Sequence, residues 1–595
     1  MTIYHAPIRD MQFVLHELLN VEKAFAILPS QSDTNRELMD AVLQEMAKLC
    51  EEVLAPLNAV GDEHGCTYEN GVVRTPPGFR HAWGQFVKGG WPSLACHPEY
   101  DGQGLPKTLN FFVDEMVASA NMAFGLYAIL TFGAYQAIHA SASDELKRTF
   151  LPRLATGTWT GTMCMTEPQS GTDLGLVRTR AVARGDEIFS ISGQKIFITG
   201  GEQDLSENIV HLVLARTPDA PAGVKGISMF LVPKYLVNGD GSLGARNGVS
   251  CASIEEKMGI HGASTCVLNF EEATGYLVGD LNKGMRAMFT MMNHERLVVG
   301  VQGLAQSELS YQNAVEYARE RLQSRAPSGA QNTEQPADPI IVHPDVRRML
   351  LTGKAYNEGA RAFTAWLGIQ IDYSEEHPHA AAKQEAEDLV ALLTPVVKGF
   401  FSDIGSEVCN LGMQVLGGHG YIRESGMEQM VRDARIAQLY EGTNGVQALD
   451  LVGRKISMHG GRLTDTYFSR IQVFVDSHQA NTNLADFVEP LAGALQGISA
   501  CTDWIREQSD QSVAEIGAVS TDYMRFMGLL SLAYMWTMMA ERALAGGANG
   551  DASFYDTKLK TGRFFMRRLL PQVETLGATI RAGAGTLMEL DAAAF

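Results

Sequence analysis

Residues 432–445 hold a carboxylate in a setting that could do chemistry. Glu441 stands between Tyr440 and Gly442, with Thr443 and Asn444 close behind, and the uncharged run Ile436-Ala437-Gln438-Leu439 leads into it. Most glutamates are solvated surface groups. Here Gly442 permits a tight backbone, and Thr443 or Asn444 can cap a helix that starts at about Gly445. A carboxylate beside the amide-rich start of a helix suits an anionic ligand or a carboxylate base.

Other chemistries lack their parts. Gly239-Asp240-Gly241-Ser242-Leu243-Gly244 matches the letters of a dinucleotide fingerprint. No helix start follows it to meet a pyrophosphate, so it reads as a glycine-rich loop in a β-domain. His377, His379 and the pair His294-Glu295 form no metal motif. A Gly-x-Ser-x-Gly elbow is absent. Eight cysteines are scattered at 50, 66, 96, 164, 251, 266, 409 and 501 without a Cys-x-x-Cys pair, as in reduced cytosolic thiols.

The run Tyr440-Glu441-Gly442-Thr443-Asn444 resembles the catalytic-base motif of the acyl-CoA dehydrogenase family, and three more segments resemble that family in order and spacing. Thr166-Glu167-Pro168-Gln169-Ser170-Gly171-Thr172-Asp173 is similar to its flavin-contacting loop. Gln194-Lys195-Ile196-Phe197-Ile198-Thr199 is similar to the strand that backs the flavin ring, with Phe197 where Trp is usual. Gln414-Val415-Leu416-Gly417-Gly418-His419-Gly420 resembles the glycine turn that receives flavin from a neighbouring subunit. The resemblance covers residues 35–455. Tyr4 to Asp10, Asn208 to Arg216 and Asp450 to Lys455 further resemble a large bacterial subgroup with a C-terminal extension.

The resemblance implies FAD as cofactor, with Glu441 as the catalytic base. It assigns Met163, Met165, Thr166, Thr172, Phe197, Ile198, Thr199, Arg321, Gln414, Val415, Gly417, Gly418, Thr443 and Asn444 to cofactor binding. It assigns Thr172, Asn293, Arg296 and Gly442 to the substrate. Thr172, Ser170 and Asn293 stand where the family more often carries Ser, Ala and Asp. The implied reaction takes an α-proton and a β-hydride from a fatty acyl-CoA and gives a trans-2-enoyl-CoA. Electron-transfer flavoprotein would be the acceptor, and medium or long chains the substrates. 3-Methylmercaptopropionyl-CoA as substrate, an acyl-CoA oxidase, and a non-catalytic flavoprotein scaffold are the alternatives. The α-carbon is a poor acid, so this chemistry needs a placed base and donors on the enolate oxygen.

The elements around these residues predict an α+β multidomain chain. An N-terminal α-helical domain covers 1–158, a middle antiparallel β-domain 159–278, a C-terminal four-helix-bundle domain 279–456 and an extra helical domain 457–595. Asn35 and Asp33 can cap the helix carrying Leu38, Val42, Leu43, Met46 and Leu49, which Pro56 ends. From Met116 to Ser143 no Asp, Glu, Lys or Arg occurs, and the run reads as a buried helix pair that in the family lines the acyl pocket. Gln323 to Pro339 reads as a surface loop. In the extension, Asp486 to Ile498, Ser512 to Ala545 and Asp556 to Gly583 read as helices, with Pro490 in an opening turn. Tyr523, Met524, Met527, Leu530, Met535, Met538 and Met539 read as bundle core; weak membrane association of this face is the alternative.

At 595 residues the chain exceeds one core. Hydrophobic content of 45% and charged content of 19% fit a soluble protein. A net charge of −20 argues against nucleic acid as partner. The first thirty residues carry no secretory pattern, so the cytoplasm is expected. The extension occupies surface used for tetramer contacts in smaller relatives, so the resemblance implies a homodimer.

Overall fold

The computed structural model describes residues 2–185, 187–509, 512–546 and 551–595. The chain packs as two compact units. The first comprises Met1–Glu45, Lys107–Glu115 and Val299–Phe595; the second comprises Met46–Pro106 and Met116–Val298. A buried ion cluster lies within the first unit. Arg361 binds Asp10 at 2.5 Å, Glu115 at 2.6 Å and Glu308 at 2.9 Å, and Lys558 binds Glu358 at 2.8 Å and also Asp10. These pairs tie residue 10 and the start of one long helix to the C-terminal helices.

In the second unit, helix α1 (Lys107–Ser141) supplies the buried run from Met116. It is one helix broken at Asn121, whose φ of −160° and ψ of 91° interrupt the ladder. The Asn121 side chain repairs the break by accepting from Phe124 N at 3.0 Å, which caps the second half. A seven-stranded sheet follows: β1 (Trp159–Cys164), β2 (Arg180–Gly185), β3 (Ile188–Thr199), β4 (Asn208–Ala215), β5 (Ser228–Pro233), β6 (Val249–Ile254) and β7 (Thr265–Val278). The order is β1-β4-β5-β7-β3-β2, with β6 along β7. The sheet is not wholly antiparallel, because β1 pairs β4 in parallel. The β2–β3 hairpin lies between them in sequence and gives the chain length for that crossover. The glycine run after Asn238 leads into a strand, Leu243–Arg246, and not into a helix.

In the first unit, long helices pack side by side: α2 (Gly284–Glu320, from Val299 onward), α3 (Pro344–Glu376), α4 (Ala380–Leu416) and α6 (Val513–Gly546), with the short α5 (Asn444–Asp450) beside them. Gly528 of α6 leaves room for the Phe400 ring of α4, and the Trp536 indole donates to Ala355 O at 3.1 Å. Tyr523, Met524, Met527, Leu530, Met535 and Met539 are buried, so this stripe is bundle core. Helices Lys107–Ser141 and Ala380–Tyr421 are long and apolar enough to cross a membrane, yet 89% and 78% of their apolar windows are buried.

Three helix expectations are corrected. Asp556 to Gly583 is two helices, Ala552–Phe564 and Gln572–Ala582, parted by a π turn, Phe565–Leu569, and by Pro571. Arg36–Leu49 does not stop at Pro56 but continues through a π turn, Cys50–Leu54, into Ala55–His64. Pro56 opens that last helix, where the widened turn spares its missing N–H. Pro490 lies inside helix Ala485–Ser509, since the helix begins earlier than the apolar pattern suggests. Asn35 caps its helix as expected, accepting from Leu38 N at 2.9 Å. The segment from Gln323 to Pro339 is a loop organised on the buried Asp338, which accepts from Ala326 N, Gln331 N and Asn332 N.

Candidate active site

In the first unit, Ile436–Gln438 forms a 3-10 turn and the chain then enters a tight bend. Glu441 has φ 57° and Gly442 φ 85°, two consecutive left-handed residues. Two features favour glycine at 442. Its φ disfavours a side chain, and a Cβ would lie 2.6 Å from Gln447 Nε2. Glu441 is half-buried, with its Oε2 atom withdrawn from solvent. The Glu441 carbonyl accepts from Gln447 Nε2 at 2.9 Å, and the Gly442 carbonyl from Lys398 Nζ at 2.7 Å. Tyr440 is anchored by its hydroxyl to Gln302.

Helix α5 starts at Asn444, one residue earlier than expected, with Thr443 at the cap position but making no side-chain cap bond. The Asn444 side chain turns into the bundle. It accepts from Lys398 Nζ at 2.9 Å and donates to Asp403 at 2.7 Å and Gly399 O at 3.1 Å. Its polar atoms are thus engaged by helix α4, which makes Asn444 a support of the Glu441 turn. Thr443 is exposed.

At the end of α4, Gln414, Gly417 and Gly418 are exposed and Val415 is buried. Gly417 has φ 58°, and a Cβ at Gly417 or Gly418 would meet no atom within 4 Å. This open backbone accepts close approach by a ligand. Arg321 follows the last residue of α2 and is exposed.

In the second unit, residues 165–173 form a loop pinned from below. Glu167 is buried and accepts from Lys195 Nζ at 2.8 Å, Thr179 Oγ1 at 2.6 Å, Thr179 N at 3.0 Å and Arg178 N at 2.7 Å. Burial alone would raise this carboxyl, but the Lys195 ammonium and the hydrogen bonds outweigh it and hold it at about 2. Lys195 also donates to Met165 O at 3.0 Å, and Ile196 N donates to Thr166 O at 2.9 Å. The loop is thereby stitched to β3, leaving Thr172 exposed and Met163, Met165 and Thr166 half-buried.

Phe197 is the exception to β3's regular geometry. Ile196 and Phe197 together face Val267, because Cys266 pairs Ile198 while Leu268 pairs Lys195. This bulge puts Phe197 at φ 60° and leaves the residue 59% exposed, whereas Ile198 is buried. A left-handed aromatic residue costs about 1–2 kcal/mol, and a bulge re-aims a side chain at a functional surface. The ring is a wall with one open face. Within this unit, the exposed Thr172 and the open aromatic face fit the planar ring of a cofactor.

On α2, Asn293 is exposed and Arg296 half-buried. Glu295 between them is buried against Gly133 of α1, and His294 meets the Phe132 ring edge-on at 4.9 Å. Sequence reasoning passed over the Glu167–Lys195 pair, Lys398, Asp403 and Gln447. A signal existed for two of them: Lys195 is the one charge in its strand, and Lys398 the one charge between Asp388 and Asp403.

Family models match almost the whole chain. They are the N-terminal domain of acyl-CoA dehydrogenase at 36–158, its middle domain at 162–273, its C-terminal domain at 282–456, and an acetyl-CoA dehydrogenase C-terminal-like domain at 467–591. A 3-methylmercaptopropionyl-CoA dehydrogenase of Ruegeria pomeroyi is 43% identical, over 95% of this chain and 96% of that one. A broad-specificity linear acyl-CoA dehydrogenase of Mycobacterium tuberculosis is 34% identical over the full length of both. A butyryl-CoA dehydrogenase of Syntrophomonas wolfei is 33% identical over 96% and 95%. An acyl-CoA dehydrogenase of Bacillus anthracis, complexed with FAD, shares the fold with a TM-score of 0.75, covering 94% of this chain and 90% of its own at 20% identity. The chain belongs to the acyl-CoA dehydrogenase family and is an FAD-using oxidoreductase.

Proposed function

We propose that the protein removes the α-proton and β-hydride of straight-chain fatty acyl-CoA thioesters to give trans-2-enoyl-CoA, in the cytoplasm and as a homodimer. The carrying observation is Glu441, held in a left-handed turn by buried donors with one carboxylate oxygen withdrawn from solvent. A carboxylate so placed takes the α-proton and becomes the acid as the C–C double bond forms. FAD, when bound, supplies the hydride acceptor. By the family resemblance, Thr166, Thr172, Phe197 and Thr199 would hold it, and Arg321, Gln414, Gly417 and Gly418 would meet the FAD of a neighbouring subunit. Arg321 offers a guanidinium fork suited to pyrophosphate. Asn293 and Arg296 are the proposed substrate contacts, by family resemblance alone. Electron-transfer flavoprotein is the proposed acceptor, and medium or long chains the proposed substrates. The relative named for 3-methylmercaptopropionyl-CoA, at 43% identity, favours that short methylthio thioester as a second reading.

The test is anaerobic titration of the FAD-loaded enzyme with acyl-CoAs of increasing length and with 3-methylmercaptopropionyl-CoA, followed by the visible flavin band. Bleaching by straight chains supports the proposal. Bleaching by the methylthio thioester alone selects the second reading. No bleaching by any of them overturns both. Rapid reoxidation by air in place of electron-transfer flavoprotein would make the enzyme an oxidase.

A further inference from the structure

We infer that Lys398 and Gln447 are positioning residues of the reaction, acting through the backbone that carries Glu441; the inference rests on Glu441 being the base. Lys398 is 0% and Gln447 1% exposed. Each donates to one of two successive carbonyls, Gln447 to Glu441 O and Lys398 to Gly442 O. C=O and N–H are antiparallel across a trans peptide. Drawing these carbonyls inward therefore turns the N–H groups of Gly442 and Thr443 the opposite way. The same two bonds hold Glu441 at a φ that costs a non-glycine residue about 1–2 kcal/mol, a conformation that persists only where its surroundings impose it.

The clamp is itself rigidly seated. The Lys398 ammonium also binds Asn444 Oδ1, and Asn444 binds Asp403, which further accepts from Gln438 Nε2 at 2.7 Å. Gln438 leads into the bend and Asn444 leaves it, so both ends of the turn hang on one face of α4. Next to Lys398, Gly399 admits the Met524 side chain of α6 with no room for a Cβ. Helix α4 cannot shift without displacing α6. A buried ammonium is costly to desolvate, and an apolar residue of the same size would pack there as well. The ammonium at 398 is directed at the Gly442 carbonyl and the Asn444 amide oxygen.

The experiment is stopped-flow flavin reduction, without oxygen, in the FAD-loaded wild type, Lys398→Met, Gln447→Met and Glu441→Gln, using the acyl-CoA that bleaches the wild type. A misplacement of about 1 Å costs on the order of 100-fold in rate. Lys398→Met and Gln447→Met should thus bleach to full amplitude with a rate constant lower by about that factor, at unchanged half-saturating substrate. Bleaching at the wild-type rate constant overturns the inference, whether at full amplitude or at an amplitude cut to the FAD-loaded fraction. If Lys398→Met does not fold, Gln447→Met, neutral and similar in volume, decides alone. Glu441→Gln separates the two readings. If it bleaches normally, the base assignment fails; if it is inert while both clamp variants run normally, only the clamp fails.

Discussion

At the scale of single residues, the chain uses buried lysines to fix backbone and not to bind solvent-facing partners. Lys195 neutralises Glu167 and thereby pins the 165–173 loop. Lys195→Met leaves a buried carboxylate alone, which should destabilise the second unit by about 3–5 kcal/mol; urea unfolding followed by circular dichroism measures it. The pH dependence has a definite sign. Glu167 is held at about 2 in the folded chain, against about 4.3 when unfolded. Its stabilisation is complete above the unfolded value and is lost as pH falls through about 2. Glu167→Gln should flatten the acid limb of the stability profile. At the base itself, Glu441→Gln should abolish flavin bleaching while leaving the yellow cofactor bound.

At the scale of elements, the bulge of β3 trades backbone strain for an exposed ring. Phe197→Gly removes both the ring and the left-handed penalty of about 1–2 kcal/mol. The flavin-free protein should keep its melting temperature while its affinity for FAD, read by fluorescence titration, falls. A loss of stability with unchanged FAD affinity would mean that Phe197 serves packing. Phe197 was legible as an aromatic wall from its place in the motif. Its left-handed φ was not, because the bulge arises from the two-against-one pairing with Val267, which no property of residues 194–199 encodes.

At the scale of the molecule, the ion cluster around Arg361 joins the N-terminal segment to the C-terminal extension. Arg361 faces Asp10, Glu115 and Glu308 at once. Burial, only partly offset by Arg361, raises the Glu115 carboxyl to about 7. The folded chain therefore keeps a proton that the unfolded chain releases above about 4.3. Stability from this site is complete below that value and is lost as pH rises through about 7. Asp114, at about 7, and Asp372, at about 6, are raised by burial with the same sign. Thermal melts should show stability declining from pH 5 to 8 by a slope that Glu115→Gln reduces. Because α6 packs on α3 and α4, ending the chain at residue 456 should yield insoluble protein, not a smaller active enzyme; expression and size-exclusion chromatography check this.

The candidate residues were proposed from sequence alone. Glu441, Gly442, the 166–173 loop and the glycines at 417–418 are short contiguous motifs, and a tight bend or an open glycine is a local property of the residues that make it. The strands and the long helices showed likewise in their apolar patterns, since periodicity is also local. Tertiary structure decided what holds those motifs in place. Lys398 reaches the Glu441 turn from α4, the Asn444 side chain bonds to α4, and Asp10 belongs with the C-terminal helices. Each of these depends on which buried donor or charge finds its partner across the fold. A buried polar group must be matched wherever the packing places it, and that packing is not written in the neighbouring residues.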